Sequence, residues 1–96
     1  MKTVKMFPLV GNFAENKDLA RKIRVEELIP RLEKQEEVTL DFQGIGSATQ
    51  SFIHALISDL IRRYGVEVLD QIYFKNCNDI VKQIINIVVD YMQEGV

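Results

Sequence analysis

Val38-Thr39-Leu40-Asp41-Phe42, then Gln43-Gly44-Ile45-Gly46-Ser47-Ala48-Thr49-Gln50-Ser51, then Phe52 through Tyr64, is the stretch on which the fold turns. Val38, Leu40 and Phe42 alternate with Thr39 and Asp41 at the period of two that a pleated strand requires. Gly44 and Gly46 admit a tight turn or a close backbone approach. Phe52, Ile53, Leu56, Ile57, Leu60, Ile61 and Tyr64 recur at three- and four-residue spacing, the broad stripe of a helix that covers a sheet. His54, Ser58, Asp59, Arg62 and Arg63 fall on the other side. Ser47-Ala48-Thr49-Gln50 has the form of a capping box, and Thr49 or Ser51 are alternative caps. Gly65 is the expected helix end.

The same logic extends in both directions. Gln71 to Lys75 reads as a second strand after the crossover helix, so the two strands should be parallel. Asn76 to Asp79 is a turn and cap. Asp79 to Gln93 reads as a last helix with an apolar arc wider than one sheet face needs, which points to a homodimer or a partner groove there. Upstream, Thr3 to Phe7 reads as a first strand, with Pro8 at its end and Leu9-Val10 as an extension. Phe13 is expected to pack inward. Asn16 is a plausible cap for a helix over 16–34, and Pro30 inside that pattern should break or kink it near Arg24 to Ile29. Its alternating charges read as a solvated face with exposed ion pairs.

The chain has 96 residues, 47% of them hydrophobic and 27% charged, which bounds it as one ordinary globular domain over 1–96. The net charge of −2 argues against a nucleic-acid binder. Cys77 is the only cysteine, so a reducing compartment is the easier reading. No apolar run approaches a membrane span, and the first residues lack the form of a signal peptide. The expected location is the cytoplasm, away from membranes.

Asp41-Phe42-Gln43-Gly44-Ile45 followed by Thr49-Gln50-Ser51-Phe52, with Tyr64-Gly65, Ile72-Tyr73-Phe74 and Asn76 in order, resembles the small STAS-like domain family. That family is related to the STAS domains of bacterial anti-sigma-factor antagonists. The resemblance is best over 38–91. It implies an α/β fold: a small mixed, mainly parallel sheet covered by helices. It also implies a regulatory module whose partner is a histidine-kinase-like ATPase. In the antagonists a serine at the start of the corresponding helix is phosphorylated, and the added charge breaks the complex. By position Ser51 is the nearest match, with Thr49 and Ser47 as further candidates. Phe52 stands where the antagonists have a small residue.

The residues themselves point away from catalysis. His54 has no carboxylate or nucleophile partner in sequence, Cys77 is alone, and no metal-ligand spacing occurs. Gly44-x-Gly46 lacks the lysine and third glycine of phosphate loops. No cofactor is implied. Asp41, Gly44, Gly46 and Gln50 form the expected rim of a partner or ligand surface. The function expected is a non-catalytic protein-interaction module and regulatory switch. The alternative is a small-ligand, nucleotide or anion sensor built on the glycine turn and the helix N-terminus.

Overall fold

A computed structural model describes residues 2–94. Met1, Gly95 and Val96, part of the expected 1–96 domain, lie outside the described residues. Strands β1 (Lys2–Lys5), β3 (Val38–Asp41) and β5 (Ile72–Lys75) form a three-stranded sheet in the order β1-β3-β5. Both pairings are parallel, with Val4 opposite Leu40 and Leu40 opposite Phe74. A second, two-stranded parallel sheet joins β2 (Phe13–Ala14) to β4 (Ser47–Ala48).

The two crossovers in the larger sheet step in the same direction. Right-handed connections then place their helices on one face. Those helices are α2 (Lys17–Ile23) with its continuation, and α4 (Gln50–Tyr64); α4 packs against both α2 and α5 (Asp79–Glu94). Val4, Val38, Leu40, Phe42 and Ile72 point into this layer and are buried with Phe52, Leu56, Leu60, Val81 and Val88. The strands' alternate positions face away from it: Thr3, Lys5, Tyr73 and Lys75 are exposed. Central position in the sheet alone buries Thr39 and Asp41 on that side.

The charged segment after Asn16 holds one continuous helical run. Asn16 caps it, its Oδ1 accepting from the amides of Asp18 at 2.9 Å and Leu19 at 3.2 Å. Arg24–Leu28 is a π-helical turn leading into α3 (Ile29–Glu33), with the Ile29 amide bonded to the Arg24 carbonyl. Pro30 accounts for this form. Its ring clashes with the carbonyl one α-turn back, and the wider π turn relieves the clash without ending the helix. The disturbance thus falls where the proline predicts it, as a widened turn.

Three local expectations are corrected. Phe7–Val10 is a single helical turn, α1, with Pro8 in its first turn, and does not extend β1. Proline's fixed φ suits a helix start, and the missing amide is not needed there. Phe13 is exposed while Ala14 is fully buried, because successive strand residues face opposite ways and Ala14, with its partner Ala48, takes the inward face. Ser47 does not cap α4. It lies in β4, and Thr49 is the cap, its Oγ1 accepting from the Phe52 amide at 3.0 Å.

Candidate functional site

The turn after β3 is locked by Asp41 and three asparagines. Asp41 Oδ1 accepts from the Gln43 amide at 2.9 Å and from Asn76 Nδ2 at 3.0 Å. These bonds, Asn76 first, hold the Asp41 carboxyl below its ordinary value. Burial opposes them, while Lys75 and Lys5, its neighbours across the sheet, each add a smaller lowering effect. Asn76 itself sits at φ 59°, a left-handed conformation that asparagine tolerates. Asn12 takes the Gly46 amide on both its carbonyl, at 2.8 Å, and its Oδ1, at 3.0 Å. Asn78 donates to the Gly46 carbonyl at 2.9 Å and accepts from the Val81 amide at 2.8 Å, so one side chain ties the turn to the start of α5.

Both glycines are needed for this packing. Gly44 has φ 90°, and a Cβ there would meet the Phe7 ring at 3.0 Å. A Cβ on Gly46 would fall 2.9 Å from Asn12 Oδ1. The amides of Gln43, Ile45, Gly46 and Ser47 are all bonded within the chain. Of the expected rim residues, Asp41 and Gly46 are tied into these internal bonds, while Gly44 is exposed beside the Phe7 ring.

The first turn of α4 is different. Gln50 and Ser51 are exposed, and Thr49 and Ser47 are half-buried. Ser51 opens onto a groove of about 460 Å³ between α4 and α5. Gln50, Ser51 and His54 form one wall, Ile87 and Tyr91 the other, and Lys17 closes one end. The His54 and Tyr91 rings lie 6.5 Å apart at 60°. Ile87 is 42% and Tyr91 65% exposed, whereas Met92 turns into the core. The hydroxyl and the apolar arc of the last helix, separate features in the sequence, thus border one surface. His54 and Lys17 are the residues that sequence reasoning missed. Only the crossing of α4 on α5 and on α2 brings them there.

A family model described as a STAS-like domain of unknown function (DUF4325) matches residues 10–82, well over half of the chain. The chain belongs to that family. The match takes in the glycine turn, Ser51 and β5, and it starts further upstream than the motifs over 38–91 suggested. No curated protein and no solved structure matches the chain. In this STAS-like domain, Phe52 is fully buried, so the residue that departs from the antagonist pattern is a core anchor of α4.

Other chemistry has little to build on. Burial pushes the Cys77 thiol up from its ordinary value, which keeps it protonated at neutral pH and unlike an activated nucleophile. Among the described residues no group of three His, Cys, Asp or Glu is placed to hold a metal ion. No helix among them is long and apolar enough to cross a membrane.

Proposed function

We propose that this STAS-like domain is a non-catalytic protein-interaction module, a bacterial regulatory component that docks its partner over the α4–α5 groove. Negative charge added at Ser51 releases that partner. One observation carries the reading: Ser51 is exposed at the mouth of a groove whose far wall is the exposed pair Ile87 and Tyr91. A phosphate brings about −1.5 to −2 charges. Placed beside an apolar contact, it must be stripped of water for the partner to stay. The partner, by the antagonist resemblance, is a histidine-kinase-like ATPase.

The test is a pull-down and titration against an ATPase encoded beside this chain. Wild-type protein is expected to bind. Ser51→Asp and Tyr91→Ser are each expected to lose binding while remaining folded. Full binding by both variants overturns the reading.

A second occupant is favoured by the spacing on α5. Ile80, Ile84, Ile87 and Tyr91 recur at four, three and four residues, the seam of a helix pair. Ile80, Ile87 and Tyr91 are exposed and Ile84 half-buried, while Val81, Ile85, Val88 and Met92 fill the parallel stripe inside. That seam fits a homodimer through the C-terminal helix. Light scattering over a concentration series decides it, and a strict monomer throughout removes the dimer. The anion-sensor alternative has few free amides at the glycine turn, since those of Gln43, Ile45, Gly46 and Ser47 are bonded inside the chain.

A further inference from the structure

Arg21, Arg24, Arg62 and Arg63 line one groove of about 450 Å³ between the α2–π run and the C-terminal half of α4. Asp59 is the only carboxylate lining it. Four guanidinium groups against one carboxylate is a marked segregation in a chain of net charge −2. Arg24 is fixed. Its side chain is 12% exposed, and Nη1 donates to the Ala55 carbonyl at 2.6 Å and lies 3.2 Å from Asp59 Oδ2. Asp59 gives its other oxygen to Arg62 Nη1 at 3.0 Å. The carboxylate is thereby used to hold two guanidinium groups side by side. Among the described residues neither Arg21 nor Arg63 has a carboxylate within ion-pair distance.

The floor of the groove is apolar. Val25 is 48% exposed and Ile29 half-buried, both on the π turn or directly after it. π turns re-aim side chains and are often kept at functional sites. Arginine forks match carboxylates in two-point hydrogen bonds.

We propose that this groove docks an acidic peptide segment of a protein partner, with glutamate or aspartate carboxylates on the arginines and an aliphatic side chain on Val25 and Ile29. A nucleic acid fits less well. The Tyr64 ring, the one aromatic nearby, is already covered by the Arg63 guanidinium at 5.8 Å, and Glu26 and Glu33 on the same helical run would repel a long polyanion. This surface lies at the opposite end of α4 from Ser51, and the two readings stand or fall separately.

Fluorescence anisotropy tests it, using a short fluorescein-labelled peptide in which glutamates flank leucines. Saturable binding at low salt is expected, weakening as salt rises. Combining Arg21→Gln with Arg63→Gln should lower affinity roughly tenfold, because two rim charges are lost. Both side chains are exposed, and a circular dichroism melt checks that the variant stays folded. Val25→Ser should erase the advantage of leucine-containing over serine-containing peptide. No saturable binding by the wild type overturns the proposal, as does equal binding by the arginine variant. Displacement of the peptide by an oligonucleotide of equal charge, at equal or lower concentration, also overturns it.

Discussion

Between Asp41 and Ser47 the amides of four residues are bonded inside the chain; from Gln50 to His54 the polar side chains line open solvent. The two regions are close in sequence, separated only by Ala48 and Thr49. They differ in what surrounds them. Asn12 from one distant loop, and Asn76 and Asn78 from another, close on the turn, and Phe7 lies over Gly44. Among the described residues nothing comparable closes over the first turn of α4 on the side where Ser51 stands. A motif rich in turn formers marks a place where backbone must be satisfied, and satisfaction from within leaves little to offer a ligand. A surface for a partner needs groups left over.

The sharpest way to break this contrast is at the base of the turn. Phe42 is fully buried and its ring lies 6.3 Å from that of Phe74. Phe42→Ala is expected to cost about 3–5 kcal/mol, the range for a buried aromatic truncation. A thermal melt with an unchanged midpoint would contradict the core described here. Asn78 comes next. Asn78→Ala removes a helix cap and leaves the Gly46 carbonyl without its partner, at a cost of about 1–3 kcal/mol. If the bond to Gly46 contributed nothing, the same change would cost no more in a denaturant titration than Thr49→Ala, which removes a cap alone.

These asparagines also show how far the sequence could be read. β3, α4 and β5 were legible because their apolar periods are long and each closes with a recognisable turn. The parallel βαβ arrangement then follows from chain geometry. Local signals of one or two residues were not. Phe13 and Ala14 alternate, but nothing in the pair says which faces in; in the structure Ala14 does, opposite the buried Ala48. Pro8 fits a strand end and a helix start equally. Ser47 fits a capping box, and only its place in β4 shifts the cap to Thr49. Asn12 carries a turn signal in sequence, but its contact with Gly46 spans 34 residues and has no local mark. Gln50 and Ser51 stood out in the sequence and are exposed, while the opposite wall of their groove depended on how α5 crosses α4.

Thr49 and Ser47 separate the two regions more finely. Thr49→Ala should cost about 0.5–2 kcal/mol, as loss of an N-cap does. Ser47→Ala should stay within about 0.5 kcal/mol, since its hydroxyl does not cap the helix. Equal effects in paired melts would return the cap to Ser47.

Asp41 supplies a pH-dependent version of the comparison. Its carboxyl is held below the ordinary 3.8 by Asn76 and Gln43. A folded value below the unfolded one means the carboxylate contributes stability that is fully present above the unfolded pKa of about 3.9. That contribution is lost as pH falls from there through the folded value. Melting wild type and Asp41→Asn across this acid range should show their midpoints converging as pH drops. A constant gap would mean that the Asp41 charge plays no part in closing the turn.

A small expected change in stability is also the most discriminating. Ser51 is exposed in the first turn of α4, where the helix dipole favours an anion. Ser51→Asp should leave the fold intact and raise stability by about 0.3–1 kcal/mol. The same charge faces Ile87 and Tyr91 across the groove, and a partner seated there would have to bury it or leave. Stability and binding should therefore move in opposite directions. A cap residue behaves otherwise: removing it lowers stability, and binding falls only as far as the helix start is disturbed. Ser51→Ala provides the internal control, since it removes the hydroxyl without adding charge and should change neither quantity. If Ser51→Asp instead melts lower than wild type by more than about 1 kcal/mol, its side chain makes a structural contact that the open groove does not contain, and the contrast between the closed turn and the open helix start fails at that residue.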